Sequence, residues 1–280
     1  MTFHYHRPTT TAAALRLLGP GSCVLAGGQS LVPALRRRER RPSHLVDIAA
    51  VRGELGSVQV RSDALAVGAG VRQQELVDRA PAGHDALVEA LRRVGNHVVR
   101  RNGTVVGIVA HADPGCQLAA VCGAVGATAV AESLRGVRRI PAWDLFRAAA
   151  RRRPDELVTG LEFPAPAPGS ASAFRQVSLR RAGGPHLVSV AARIVLADGW
   201  CTDAAVAAAV PGQGCAALTR TADALVGTRV HAEDIATELV EGEIALVDDG
   251  FATAAYRYHA LRALVRGTVL VARSRAEGVR

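Results

Sequence analysis

The sequence predicts an α+β protein, with strands and helices in blocks rather than in strict βαβ alternation. Three observations carry this. Short strands and short helices mix freely up to Phe163. A proline-rich stretch of small residues, PAPAPGSAS at Pro164–Ser172, then forbids regular pairing and reads as a linker. Beyond it come strands followed by helices.

Thr9–Leu18 reads as a short helix, with threonines to cap its start and Gly-Pro-Gly to end it. Ser22–Ala26 is a predicted strand, Gln29 to about Arg38 a helix and His44–Ile48 a strand. Ser57–Gly70 alternates around a polar turn, as a hairpin does. Val71–Ala80 and Asp85–Val94 follow as helices, the second with Leu87, Ala90, Leu91 and Val94 on one face. Val98–Glu132 is too broken by glycine for one helix and too polar for a plain strand pair; a helix is expected after Pro114 and a strand near Ala127–Ala131. Strands are predicted at Glu156–Phe163, Ser172–Leu179 and Leu187–Leu196, then at Cys201–Val210 after a turn at Ala197–Trp200. Helices over Leu218–Val226, Ala232–Val240 and about Phe251–Ser274 complete the reading.

A chain of 280 residues, 49% hydrophobic, suffices for about two domains with buried cores. No run approaches the ~18 apolar residues of a membrane helix, and MTFHYHRPTT lacks the order of a signal peptide; the expected location is cytoplasmic. Cys23, Cys116, Cys122, Cys201 and Cys215 form no CxxC pair, which argues against a zinc or iron–sulfur site in this chain. The formal charge is +9, and all 34 basic residues are arginine. Without lysine there is no Walker A motif, no Schiff base and no lysine general base. The arginine-rich runs Arg36–Arg41 and Arg151–Arg153 could attract polyanions. With 4% aromatics, however, stacking platforms are few. Solvated helix ends, or a surface for an acidic partner protein, are expected instead of nucleic-acid binding.

Two stretches carry chemistry. In AGGQSL (Ala26–Leu31), Gly27 and Gly28 let a backbone approach a ligand, Ser30 offers a hydroxyl, and N–H groups heading the next helix favour an anion. Such a strand–turn–helix is also ordinary punctuation, and GxGxxG is absent. In RRNGTVVGIVAHADPG, Gly103, Thr104 and Gly107 again supply small residues and a hydroxyl. Asp113, just before Pro114, suits a helix N-cap as well as a ligand contact. Two phosphate-friendly loops so far apart suit a dinucleotide whose diphosphate lies between two lobes.

Together, AGGQSLVPAL and RNGTVVGIVAHADPG resemble the FAD-binding (medium, flavoprotein) subunits of the molybdenum hydroxylases, of the carbon monoxide dehydrogenase and xanthine dehydrogenase type. The family patterns are AGG-x-S/D-L and R-x-x-GTIGG-x-x-AHADP. FHYHRP at Phe3–Pro8, HLVDI at His44–Ile48 and DELVTGLEFP at Asp155–Pro164 lie in register with the family, as do FRQVSLRRA at Phe174–Ala182 and YRYHALRALVRG at Tyr256–Gly267.

The resemblance implies a two-lobed vanillyl-alcohol-oxidase (PCMH)-type FAD-binding domain over residues 1–165, with lobes at about 1–52 and 53–165. A smaller C-terminal α+β domain, sheet then helices, would span 172–280. It implies non-covalent FAD held by Ala26, Gly27, Gly28, Gln29, Ser30 and Leu31 from one loop, and by Thr104, Gly107, Ala110, His111 and Asp113 from the other. Gln176 and His186 would lie near the flavin. No catalytic side chain and no metal ligand is assigned. Electrons would arrive from the iron–sulfur partner of a molybdenum subunit in a hetero-oligomer and leave to NAD, a quinone or oxygen; the molybdenum cofactor and the clusters would be on partner chains.

The chain departs from the pattern at three places. Val106 replaces the first glycine of the family's pair and Ile108 the small residue after it, so a clash with diphosphate oxygens or a φ closed to valine is expected. Gln176 stands where xanthine-dehydrogenase-type relatives carry lysine; loss of that charge should lower the flavin potential. GGPHL, Gly183–Leu187, replaces a flavin-facing loop, where His186 is either a substitute polar contact or a histidine at a strand start. Two other readings remain open on sequence: a free-standing FAD-dependent oxidase or dehydrogenase, and a non-enzymatic scaffold with a degenerate flavin site.

Overall fold

The computed structural model describes residues 3–148, 152–180 and 186–278. The chain runs β1 (His4–His6), α1 (Thr11–Arg16), β2 (Ser22–Leu25), α2 (Leu31–Arg36), β3 (His44–Asp47) and α3 (Arg52–Leu55). The hairpin strands β4 (Val58–Val60) and β5 (Ala64–Gly68) follow, then five helices: α4 (Gln73–Arg79), α5 (Asp85–Arg93), α6 (His97–Asn102), α7 (Val105–His111) and α8 (Gln117–Val125). Next come β6 (Thr128–Ser133), β7 (Gly136–Pro141), α9 (Ala142–Phe146) and β8 (Leu157–Pro164). The remainder is β9 (Ser170–Ser178), β10 (His186–Ala197), β11 (Trp200–Val210), β12 (Gly214–Ala217), α10 (Thr219–Asp223) and α11 (Ala254–Ala276).

These elements form two compact units that interleave along the chain. The first comprises Met1–Arg79, His97–Ala112 and Ala127–Pro164; the second, Ala80–Asn96, Asp113–Gly126 and Ala165–Arg280. The first unit holds a parallel sheet of order β1-β3-β2 and an antiparallel sheet of order β4-β5-β8-β6-β7. Central β8 buries Leu157, Val158, Leu161 and Phe163. Just before it, Glu156 is 2% exposed and accepts two hydrogen bonds from Arg138 on β7, at 3.0 and 2.8 Å, and one from the Arg153 N–H at 2.7 Å. Burial pushes the Glu156 pKa up, but the Arg138 guanidinium and the Arg153 N–H outweigh it, so the carboxylate is held below its usual range.

The second unit is built on the antiparallel sheet β12-β11-β10-β9. Strand β10 is apolar almost throughout because α11 packs on it, and α8 also covers β10 and β11. Helix α11 buries Arg257, Ala260, Leu261, Leu264, Val265, Thr268, Val269 and Ala272, a stripe at three- and four-residue spacing. Glu89 on α5 accepts from the Phe174 N–H of β9 at 2.8 Å and from Arg275 of α11 at 2.5 Å, tying three elements together.

Arg257 is 2% exposed and gives its guanidinium protons to Asp249 at 2.6 Å and to the carbonyls of Val247 and Ala252. The Arg257 bond, helped by the Phe251 N–H, lowers the Asp249 carboxyl from its ordinary 3.8 to about 2. Asp249→Asn should therefore lower Tm by several degrees at neutral pH. A depressed folded-state pKa means the wild-type advantage is full above 3.8 and disappears as pH falls through about 2. Melting both proteins between pH 7 and pH 2 (about five steps suffice) checks this.

Most sequence-predicted elements are present, with three corrections. The stretch Pro164–Ser172 is not free of pairing: Pro164 ends β8 opposite Ala64, and Ser170–Ser172 already pair with β10, so only residues 165–169 link the strands. The predicted helix over Ala232–Val240 is two 3-10 turns, Ala232–Asp234 and Thr237–Gly242. The Asp234 carboxylate turns back to the His231 N–H at 2.7 Å and closes the first turn, leaving Ile235 extended. The broken stretch after Val98 contains α6 and α7.

A candidate cofactor cleft in the first unit

Strand β2 ends at Leu25 and the chain turns through Ala26–Ser30 into α2. Gly28 has φ +70°, a conformation that favours glycine. Ser30 heads α2 without spending its hydroxyl on a capping bond. The N–H groups of Gln29, Ser30 and Leu31 find no acceptor among the described residues, and so stay available to an anion. At Gly27 an added Cβ would stand 2.5 Å from the Asn102 carbonyl, 2.6 Å from Gly103 Cα and 2.9 Å from the Thr104 nitrogen. The two glycine-bearing loops therefore touch backbone to backbone.

The second loop is held from below by the segment leading into α4. The Gln73 N–H donates to the Gly103 carbonyl at 2.9 Å and the Val105 N–H to the Val71 carbonyl at 3.1 Å. Thr104 caps α7, its Oγ1 accepting from the Gly107 N–H at 3.1 Å. An added Cβ at Gly107 would come within 2.6 Å of that Oγ1, so Gly107 belongs to the cap. The φ conflict expected at Val106 does not arise: the residue sits in the first turn of α7 with an ordinary helical backbone, 2% exposed. Valine fits there because the position is ordinary helical backbone, which a β-branched residue adopts at only a slight cost in propensity.

Between the loops opens a cleft of about 1070 Å³, counting its mouth and the open solvent there. Ala26, Gly27, Gly28, Gln29, Ser30, Leu31, Thr104, Gly107, Ala110 and His111 all line it, as do Val106 and Ile108. Val24, Ile48, Leu157 and Val158 supply apolar wall.

Arg40, Arg152, Glu156 and Gln73 also line the cleft, and the sequence had not singled them out. Arg40 and Arg152 come from runs read as solvated helix ends or a surface for an acidic partner protein, and Arg40 is indeed exposed. Arg152 instead donates to the Glu156 carbonyl at 2.6 Å, and burial lowers its pKa. With Glu156 neutralised by Arg138, the cleft presents a net positive lining, which suits a diphosphate. Gln73 had no sequence signal beyond a pair of glutamines at a helix start.

Asp113, Gln176 and His186 belong to the second unit and do not line this cleft. Helix α8 starts at Gln117, so Asp113 is not its N-cap; it caps a turn, Oδ1 accepting from the Gly115 N–H at 2.9 Å. His186 opens β10 and is 8% exposed. Gln176 lies on β9 and donates to Ser178 Oγ at 2.6 Å. The His186 Nε2 and Gln176 Oε1 atoms are buried and have no partner among the described residues. Gly183–Pro185 of the GGPHL stretch lie outside the described residues.

Residues 1–166 match the family model described as the FAD binding domain in molybdopterin dehydrogenase. The chain belongs to this flavoprotein family. It is similar over its whole length to medium subunits of molybdenum hydroxylases. The alpha subunit of the 6-hydroxypseudooxynicotine dehydrogenase complex of Paenarthrobacter nicotinovorans is 32% identical, over 98% of this chain and 96% of the relative. The carbon monoxide dehydrogenase medium chain of Afipia carboxidovorans is 29% identical, over 99% and 98%. Among solved structures, reconstituted CO dehydrogenase from Oligotropha carboxidovorans superposes with a TM-score of 0.89 at 27% identity, covering 98% of this chain and 99% of that one. Quinoline 2-oxidoreductase from Pseudomonas putida 86 gives 0.87 at 28%, covering 100% and 98%. The flavoprotein is thus an FAD-dependent oxidoreductase subunit, and its cleft fits FAD. The close-packed glycine contact, the free N–H groups and the net positive lining are what a diphosphate requires. No helix among the described residues is long and apolar enough to cross a membrane.

Proposed function

We propose that this chain binds FAD non-covalently in the first unit's cleft and works as the electron-transfer subunit of a molybdenum hydroxylase. It takes electrons from an iron–sulfur partner and passes them to NAD, a quinone or oxygen. The backbone contact of Gly27 with Gly103 and Thr104 carries this reading, since it sets two donor-bearing loops against one cleft. Relatives named as subunits or medium chains of dehydrogenase complexes support the assembly.

Bound FAD supplies reversible one- and two-electron exchange. The chain's own residues bind and orient it. The N–H groups of residues 29–31 and the Ser30 and Thr104 hydroxyls would hold its diphosphate, with Arg40 and Arg152 adding positive charge. Val24, Ile48, Leu157 and Val158, as apolar wall of the cleft, would shield the bound cofactor from water. Electron transfer needs no general acid or base, and none is assigned.

The test is spectroscopic. Purified chain should carry a flavin absorption whose chromophore is released on denaturation, and co-expression with neighbouring genes should add iron–sulfur absorption. Mixing the reduced complex with NAD, a quinone or oxygen in turn identifies the acceptor by the fastest reoxidation. A colourless chain that takes up no FAD, alone or in complex, would overturn the reading.

A further inference from the structure

Gln73 lines the cleft with a buried side-chain amide, 2% exposed, whose Oε1 has no donor among the described residues. Burying an amide oxygen unpaired is costly, so native structures satisfy such atoms, with ligand where protein does not serve. The other polar groups buried around the cleft have partners: Glu156 has Arg138 and the Arg153 N–H, Thr104 has the Gly107 N–H, and Arg152 has the Glu156 carbonyl.

The amide is also held in place. The Gln73 N–H is fixed to the Gly103 carbonyl, and a Cβ at Gly103 would stand 2.4 Å from Gln73 Nε2. Gly103 has no positive φ to explain it; the absent side chain is the room the glutamine occupies. Gly103 is in turn the residue that Gly27 abuts, so the amide stands where the two loops meet.

An amide oxygen only accepts. Phosphate oxygens accept as well, so Oε1 cannot pair with the diphosphate and needs a ligand group carrying a proton. The groups flanking a dinucleotide's diphosphate that carry one are the hydroxyls of its two sugar-derived arms. We propose that Gln73 is the acceptor for a carbohydrate hydroxyl next to the diphosphate, and so positions the cofactor along the cleft. This rests on the FAD reading above. The hydroxyl belongs either to the ribityl chain or to the adenosine ribose, and the experiment separates the two.

The full-length chain is stripped of flavin, and dissociation constants for FAD and for ADP are measured by titration on wild type and on Gln73→Met, with melting temperatures for each. Methionine keeps the volume and removes the acceptor. FAD should bind at least tenfold more weakly, while the flavin-free variant melts no lower than wild type because a buried orphan acceptor is gone. A merely structural glutamine would give the opposite, a lower flavin-free Tm. An unchanged ADP affinity places the hydroxyl on the ribityl chain; an equal loss for ADP places it on the ribose. Gly103→Ala, which displaces the amide, should reproduce the loss. Undiminished FAD affinity in Gln73→Met, or a fall in flavin-free stability that accounts for the loss, overturns the proposal. If wild type itself binds neither FAD nor ADP, the FAD reading fails first.

Discussion

Gly27→Val should abolish FAD binding, by at least a hundredfold, and lower the stability of the first unit by about 1–3 kcal/mol. The cause is geometric. A Cβ at position 27 meets three backbone atoms of the second loop between 2.5 and 2.9 Å, and backbone cannot swing aside as a side-chain tip does. The loops must part, and N–H groups set to converge on one diphosphate no longer do. Gly53 is the control. It has nothing within 4 Å and no positive φ, so Gly53→Ala should bind FAD as wild type does and gain a few tenths of a kcal/mol from helix propensity. Flavin titration and melting of the two variants side by side check the prediction; a Gly27→Val protein that purifies yellow would refute it.

The second unit should lose stability between pH 6.5 and about 4 through one residue. Burial lowers His186 from its ordinary 6.5 to about 4, against partial opposition from the Gly115 backbone and from the Asp113 charge. In this window the unfolded chain binds a proton that the folded chain refuses, so stability rises with pH. The contribution is complete above 6.5 and gone once pH has fallen through about 4. Its ceiling is about 3 kcal/mol, from ~1.4 kcal/mol per pKa unit. His186→Gln, which cannot take the proton, should melt with a flatter pH profile across the window. Parallel slopes for the two proteins would show that His186 does not control it.

The sequence was most legible where a local rule and the tertiary outcome agree. Strands β8, β9, β10 and β11 are apolar runs bounded by turn residues, and each lies within three residues of its predicted ends. The first glycine loop was readable because Gly28 needs its positive φ and Gly27 its missing side chain. The second loop was half legible: the φ expected to be closed to valine is ordinary helix at Val106, a fact only the start of α7 reveals. Strand β1, only His-Tyr-His, has no periodicity to detect; it exists because β3 offers it an edge. Gln73 and Arg152 were invisible because their importance comes from residues far along the chain: Gly103 for one, the β8 entry for the other.

The interleaving of the units bears on how the protein comes off the ribosome. The chain passes between them at 79/80, 96/97, 112/113, 126/127 and 164/165. Helix α8 buries Leu118, Ala119, Ala120, Val121, Cys122 and Ala124, and its main packing partners are α5, already made, and β10, β11 and β12, not yet synthesised. When residue 166, the end of the family match, has emerged, those strands do not exist. An almost wholly apolar helix then waits without its strand partners while at least the next 44 residues, through Val210, are added. At about 5–20 residues per second that is a matter of seconds. Nascent chains of this protein should therefore depend on chaperone shielding in that interval, and fragments ending near residue 166 should aggregate however well the flavin cleft itself is formed.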